Sequence, residues 1–431
     1  MRMSGLSLET IPPLHIPLRF FYTAPWMGCI AALLLLGGAD DAFASRWSPQ
    51  VLALTHLLTL GFMAMVMLGA MFQLVPVISG RLLPGGTAVA TAVHVSLVCG
   101  ALLLAAGFAL RVYSLFAWAV PLLLLAFGIF LAALGAPLLR RSGGGDAVFS
   151  MRLAALALLL TVALGLWRAA NYAGWSLPPA PAHVGTAHLA WGLGGWVLLL
   201  VMGVGYQVIP MFHVTPAYPS WLARAMPVAV FVSLLALTFG QASLTRDAAS
   251  ACLAVIAIVY AAYTVALLQR RRRRLPDVTV RFWRLSLASL MLAALSLLAW
   301  TACRYTAAPA PPQMAMLIGA LVIYGFAVSV ILGMLQKIVP FLVFLHLQRA
   351  SMARPELLAT LPHMGELIPA SRARWQFRWH CAALLGLLLA AGSAAFAVPA
   401  GLLLTADFAW LAFTLSAALR RYRTTAQCIS D

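Results

Sequence analysis

Long runs of apolar residues alternate with short polar segments along the whole of this 431-residue chain. Many runs lack a charge over a length that lets an α-helix cross the roughly 30 Å of hydrocarbon in a bilayer. The pattern predicts an all-α, polytopic membrane protein in which residues 1–431 form a single transmembrane domain. We expect about twelve transmembrane helices, at residues 19–38, 50–79, 87–110, 113–139, 150–171, 184–214, 219–243, 247–269, 282–304, 313–347, 378–398 and 400–420.

Composition supports lipid as the surroundings of this chain. It is 63% hydrophobic and only 9% charged, whereas a soluble domain is about 25% charged because its surface faces water. We therefore expect the lipid bilayer to be the principal partner of the protein.

The formal net charge of +18 comes from arginines and a single lysine, Lys337, which cluster between the apolar runs. Basic loops stay on the cytoplasmic side of a membrane, and we interpret the clusters in this way rather than as a nucleic-acid surface. The basic clusters lie at both termini and in the connections that follow the even-numbered helices. The largest cluster is Arg270 to Arg274. Both termini, and the only long connection at 348–377, are therefore expected in the cytoplasm.

The chain also contains an internal repeat. Helices 2, 6 and 10 each carry glycines 15 and 7 residues before a proline and a glutamine three or four residues before it. The repeat predicts three pseudo-symmetric four-helix arcs, at about 19–139, 150–269 and 282–420, with these three helices innermost and closely packed through their small residues. The shared positions are Gly61, Gly69, Gln73 and Pro76, then Gly195, Gly203, Gln207 and Pro210, then Gly325, Gly333, Gln336 and Pro340.

Two histidines open two of these repeats. His56 and His188 lie near the outer ends of helices 2 and 6, 20 and 22 residues before the respective prolines. Imidazole is an axial ligand for haem iron and a ligand for copper. The alternative is that each histidine hydrogen-bonds to a neighbouring helix.

Charged residues near the helix ends, and one inside a helix, add further candidates. Arg168 and Arg304 end the helices that precede two of the repeat helices, where they would bind haem propionates or another anion, or alternatively reach the membrane interface. Asp407 is the only carboxylate inside a predicted span, which marks it as a functional candidate. Its alternative role is to pair with an arginine.

Together with the three glutamines, Asp407 could also line an intramembrane polar path. Such a path, through Gln73, Gln207, Gln336 and Asp407, would suit a transporter or permease.

The chain resembles subunit I of the haem–copper oxidases and its looser relatives, the nitric oxide reductases and the NnrS-type membrane proteins. The resemblance rests on the twelve helices, the three arcs and an outer histidine that opens helix 2. It implies a bacterial inner-membrane protein with haem b or copper and with a cytochrome or another respiratory membrane subunit as partner. His56 matches the helix-2 ligand of the low-spin haem in that family, and His188 lies on the helix that gives its first copper ligand.

Two departures from the family restrict the function. Residues 219–243 contain no histidine where the family has an adjacent pair, and helix 10 has Met314, Met316 and Ala320, with His346 at the opposite end. A binuclear oxygen-reducing centre therefore cannot be assembled. We expect a divergent relative that binds haem or copper near the outer leaflet and serves respiratory or nitric oxide metabolism or oxidase cofactor handling. A transporter or a cofactor-free membrane anchor on the same scaffold is the alternative.

Overall fold

The computed structural model describes residues 10–37, 45–139, 145–181, 183–272, 276–306, 311 and 313–430. All regular structure in these residues is helical, and three short helical turns (Ser351–Ala353, Pro355–Thr360 and Met364–Leu367) link the tenth and eleventh long helices. The long helices are α1 (His15–Gly37), α2 (Pro49–Ser79), α3 (Gly86–Ala109), α4 (Tyr113–Leu139), α5 (Gly145–Tyr172), α6 (His183–His213), α7 (Ser220–Phe239), α8 (Ser243–Gln269), α9 (Val278–Cys303), α10 (Met314–Ala350), α11 (Ala370–Gly392) and α12 (Ala394–Ile429).

Eleven of these helices, all except α11, are long and apolar enough to cross a membrane. The prediction of a polytopic helical membrane protein is therefore confirmed. α11 has 23 residues, but its first half carries Arg372, Arg374 and Arg378, which reduce its hydropathy. It is nevertheless packed between α10 and α12.

The helix ends differ most from the prediction around the long connection. α11 begins at Ala370 rather than at residue 378, and α12 runs on to Ile429 rather than ending at 420. The linker that we expected at 348–377 is thus confined to 351–369. Arginines at a helix end can extend their apolar stems along the protein and still reach polar surroundings, so they need not terminate the helix. Two members of the largest basic cluster, Arg273 and Arg274, lie outside the described residues.

The same helix pairings recur in each block of four helices. The first helix packs against the second in the pairs α1–α2, α5–α6 and α9–α10, and the third against the fourth in α3–α4, α7–α8 and α11–α12. The fourth helix of each block packs against the first helix of the next, and α12 packs against α1. The ring of helices is therefore closed.

The repeated glycines lie where the first and second helices of a block touch. A Cβ added at Gly69 would lie 2.7 Å from Cβ of Phe20 on α1, and one at Gly333 would lie 2.6 Å from Cβ of Phe282 on α9. At Gly203 the added atom would be 3.0 Å from the main-chain oxygen of Ala147 on α5. These separations are shorter than normal van der Waals contact, so a larger residue would force the two helices apart.

A π-helical segment interrupts each of the three repeat helices at the same register. The segments are Leu57–Ala64 in α2, Trp191–Val197 in α6 and Leu321–Val328 in α10. Each begins nineteen residues before the repeat proline and contains the first repeat glycine. The segment in α10 packs against those in α2 and α6, so the three inner helices meet at this level. Segments of this kind are frequent at functional sites.

The glycine contacts lead to a stability prediction. Gly333→Val should lower the thermal midpoint of the purified protein markedly, because overpacking costs about 1–3 kcal/mol and the neighbouring Cβ of Phe282 cannot rotate away. Gly128→Val on α4 is the matched control, since nothing lies within 4 Å of its added Cβ. Equal melting temperatures for the two variants would refute a packing role for the glycine.

Asp277 ties the start of α9 to α10 at the end of the bundle away from His56. It caps α9 by accepting from the main-chain N–H of Thr279 at 2.9 Å, and it pairs with Lys337 Nζ at 2.9 Å. Burial alone would raise the pKa of this carboxyl. The hydrogen bond and charge of Lys337, with the Thr279 N–H and nearby His213, outweigh burial, so the pKa of Asp277 lies below its usual value.

The lowered pKa makes the contribution of Asp277 to stability dependent on pH. It is fully present above the ordinary carboxyl pKa and is lost as the pH falls through the lower pKa of the folded state. Asp277→Asn should therefore reduce the loss of stability on acidification, measured as melting temperature against pH. Glu366→Gln is the control, because Glu366 is half exposed in its pair with Arg421 and exposed pairs contribute little. Identical acid profiles for wild type and Asp277→Asn would contradict the prediction.

Candidate functional site

The fold brings His56 and His188 together from two different blocks. Their ring centres are 6.2 Å apart and their planes differ by 16°. His56 lies at the last α-helical position before the π segment of α2, and His188 lies three residues before that of α6. Both imidazoles are only partly covered by protein.

Each of the two imidazoles is oriented by a main-chain carbonyl. Nδ1 of His56 lies 2.7 Å from the oxygen of Leu52, and Nδ1 of His188 lies 2.9 Å from the oxygen of Thr161 on α5. A carbonyl only accepts, so both Nδ1 atoms carry the proton and both Nε2 atoms keep their lone pairs. Within the described part of the chain neither Nε2 has a hydrogen-bond partner. This is the arrangement in which proteins present a histidine to a metal.

Neighbouring residues shape the space around the pair. An added Cβ at Gly165 of α5 would lie 2.7 Å from Cε1 of His188, so glycine at this position admits the ring. On the other side, the Phe108 ring of α3 lies nearly parallel to His56 with centres 5.5 Å apart. Phe108 in turn packs against Phe116 and Tyr172. An aromatic wall thus borders one side of the histidine pair.

The π segment changes which residues share a face with His56. Straight α-helical spacing puts Met63, Met67 and Ala70 on its face. The π segment Leu57–Ala64 has wider turns and changes the phase of the residues after it, so this spacing does not hold beyond Leu57. Met63 and Met67 are buried in the core instead.

The two candidate arginines have different surroundings. Nη1 of Arg168 lies beside Gly185 on the first turn of α6, next to the Trp47 ring and near enough to His188 to interact with it electrostatically. Arg304 instead pairs with Asp247 at 2.6 Å. Only Arg168 of the two is therefore close to the histidine pair.

Asp247 lies in α8, which begins four residues before it at Ser243. It is buried, and it also accepts from the hydroxyl of Tyr305 at 2.8 Å. Asp407 is therefore not the only carboxylate within a long apolar helix.

The donor set at the histidine pair suits a metal held by two nitrogen ligands. Metal–imidazole bonds are about 2 Å long. The ring centres of His56 and His188 are 6.2 Å apart, which is close enough for both imidazoles to bind one metal. No group of three or more His, Cys, Asp or Glu side chains suited to a metal occurs among the described residues. Haem iron needs only two axial ligands from the protein.

No protein-family model matches the chain, and no curated protein matches it significantly.

Asp407 belongs to a second polar cluster, between α10, α11 and α12. Its Oδ2 accepts from the hydroxyl of Tyr324 and lies 2.9 Å from Nδ1 of His380, while Gln376 donates to its Oδ1 at 2.6 Å. Nε2 of His380 lies 2.7 Å from the hydroxyl of Ser329. All five side chains are buried, at 0–1% exposure. The partner of Asp407 is thus a histidine and not an arginine.

The three glutamines of the repeat do not join this cluster. Gln73 and Gln336 are buried, and Oε1 of Gln73 and both amide atoms of Gln336 have no hydrogen-bond partner in the described chain. Gln207 is partly covered. No hydrogen bond among the described residues connects these amides to Asp407.

His380 lies inside the predicted span at 378–398, but it was not selected as a candidate because it closely follows three arginines. One signal could have identified it. His380 lies twelve residues before the end of α11 and Asp407 thirteen after the start of α12. In two antiparallel helices joined by a tight turn, residues equally far from the turn lie at the same depth.

Proposed function

We propose that this protein binds haem near one face of the membrane through His56 and His188. The proposal is supported by two imidazoles from different blocks at 6.2 Å, each with its Nδ1 on a main-chain carbonyl and its Nε2 free. Copper is the other metal that imidazole pairs bind, but the absence of a third His, Cys, Asp or Glu ligand among the described residues favours haem.

The residues around the pair have separate roles in this proposal. His56 and His188 would hold the iron through their Nε2 atoms, and the carbonyls of Leu52 and Thr161 hold their rings in the required tautomer. Arg168 of α5, whose Nη1 lies beside Gly185 of α6, would neutralise an anionic group of the ligand. Bound haem would supply one-electron redox chemistry.

We infer the membrane arrangement from the sequence together with this proposal. α11 is the twelfth span, the helices form three pseudo-symmetric arcs, and both termini are cytoplasmic, as the distribution of arginines requires. The histidine pair then lies near the outer leaflet of a bacterial inner membrane. A divergent relative of the haem–copper oxidases of this kind would serve respiratory or nitric oxide metabolism, or cofactor handling for oxidase assembly, beside a cytochrome or another respiratory subunit. It would not itself reduce oxygen.

The test is the absorption spectrum and metal content of the protein purified in lipid. Wild type should show a Soret band and near-stoichiometric iron, and His56→Ala should lose most of both. His94→Ala is the control, because His94 is also in a long helix but is occupied by a hydrogen bond to Thr23 at 2.9 Å. Wild-type protein with neither a Soret band nor copper would end the proposal.

A permease is the second candidate, and the unpartnered amides of Gln73 and Gln336 favour it. Buried amides without partners are costly unless water or a solute reaches them. Solute uptake by proteoliposomes that is lost in Gln336→Leu or Asp407→Asn would support transport. A pigment-free protein without uptake that co-purifies with respiratory subunits would instead indicate a membrane anchor.

A further inference from the structure

We propose that Asp407, His380 and Ser329 form a proton-binding site inside the helix bundle, separate from the histidine pair. The site takes up one proton reversibly from water, and a rotation of the Ser329 hydroxyl accommodates that proton. No step of this proposal depends on haem at His56 and His188.

The hydrogen bonds describe the cluster as it is before it takes up the proton. Asp407 is then a carboxylate that accepts from the Tyr324 hydroxyl, the Gln376 amide and Nδ1–H of His380. Nε2 of His380 is a bare acceptor, and the Ser329 hydroxyl donates to it over 2.7 Å. Every donor has an acceptor, but the cluster carries one negative charge in the interior of the bundle. Such a charge is costly to bury without a paired cation.

The cluster can take up one more proton without any movement of its heavy atoms; only the Ser329 hydroxyl hydrogen turns. A proton on Nε2 turns this nitrogen into a donor, and Ser329 Oγ becomes its acceptor. The Ser329 hydroxyl then donates to the main-chain oxygen of Tyr324, which is already 3.4 Å away. The other proton of the pair lies along the bond between Oδ2 of Asp407 and Nδ1 of His380. The net charge of the cluster rises from minus one to zero, and the side chains of Asp407, His380 and Ser329 keep their hydrogen bonds, whereas Oε1 of Gln376 has no partner among the described residues.

No fixed cation takes the place of that proton. The only ion-pair partner of Asp407 in the described part of the chain is His380. Two arginines of α11 are engaged with aromatic rings instead: Arg372 lies over the Phe413 ring at 5.1 Å and Arg378 over the Trp375 ring at 4.7 Å.

The remaining groups that face the cluster are neutral. Cys29 of α1 and Cys381 of α11 lie near enough to interact with the charge of Asp407, and the ring of Phe282 on α9 is 5.7 Å from that of His380. None of these groups therefore offsets the charge of the carboxylate, and a bound proton does so without displacing any of them.

The order serine, histidine, aspartate also occurs in hydrolases, but here it does not form a nucleophilic site. In those enzymes the serine hydroxyl faces a substrate. Ser329 is 0% exposed, as are His380 and Asp407, so no acyl group can reach the hydroxyl. A proton needs no such opening, since hydrogen-bonded groups can pass it on.

The experiment is ¹⁵N-histidine NMR of the full-length protein in lipid as the pH is lowered. We expect one imidazole signal whose Nε2 becomes protonated, and this signal should be absent from His380→Gln. In Ser329→Ala the Nε2–H loses its acceptor, so the same conversion should need about tenfold more protons. Ser286→Ala is the matched control, because its hydroxyl is equally buried but bonds the oxygen of Phe326 instead; it should titrate like wild type.

Two results would overturn the proposal. One is a His380 signal whose Nε2 stays unprotonated at every pH at which wild type remains folded. The other is the same titration midpoint in Ser329→Ala and in Ser286→Ala. If His380→Gln does not fold, the signal is assigned as the one that shifts in Ser329→Ala.

Discussion

Replacing Asp407 by alanine is expected to destabilise the protein more than any other single loss of a polar side chain. The substitution removes the acceptor of the Tyr324 hydroxyl, of Gln376 and of Nδ1 of His380 at once. All three donors are at most 1% exposed, so bulk water does not reach them. Breaking a buried, hydrogen-bonded pair costs about 3–5 kcal/mol, so we expect a large fall in melting temperature and a low yield of folded protein.

Asp146→Ala is the control for this effect. Asp146 pairs with Arg224 across two helices, but the Arg224 side chain is 68% exposed, and such a pair contributes at most about 1 kcal/mol. Asp407→Asn, which keeps the shape and one acceptor, should fall between the two. If Asp407→Ala melted within a degree or two of Asp146→Ala, the buried network would not be what joins α11 to α10 and α12.

Gly165→Val is expected to abolish pigment binding without altering a ligand. Its added Cβ would lie 2.7 Å from Cε1 of His188, and 3.0 Å from the Nδ1 that bonds the carbonyl of Thr161. The ring must turn away, and a shift of a few tenths of an ångström already weakens a metal bond that requires the nitrogen atom at about 2 Å. Gly165→Ala should give a graded, smaller loss of the Soret band.

The control is Gly135→Val on α4, which has open space around its added Cβ. Both valine variants place the same side chain on a long apolar helix, so only the contact with His188 differs. Full pigment content in Gly165→Val protein would mean that His188 is not a ligand.

Most of the helices were predictable because a helix that crosses lipid needs a long apolar run, which is visible in the sequence. Helices such as α3 and α4 begin and end within a residue of the expected positions, since the backbone must be helical wherever the surroundings are apolar. α11 was misplaced by eight residues at its start because Arg372, Arg374 and Gln376 make this stretch polar, although Gln376 is buried through its hydrogen bonds to Asp407 on α12. In a sequence, a polar residue suggests exposure to water until its buried hydrogen-bond partners are known.

The candidate sites were predictable only in part. The equal depth of His56 and His188 followed from the repeat, but their common Nδ1–carbonyl orientation depends on Thr161, which the repeat does not mark. The three π segments were not predictable, because glycine permits such a turn without requiring it. Arg304 looked equivalent to Arg168, yet Asp247 lies within 2.6 Å of it and gives it another partner.

The central claim is that His56 and His188 bind one metal together, and low-temperature electron paramagnetic resonance of the oxidised protein tests it most directly. Two imidazoles on one haem iron produce a low-spin ferric signal. We predict this signal in wild type, and its replacement by a high-spin signal or loss of iron in both His56→Ala and His188→Ala. A low-spin signal that survives in either variant, or wild-type protein that contains no iron, would contradict the account.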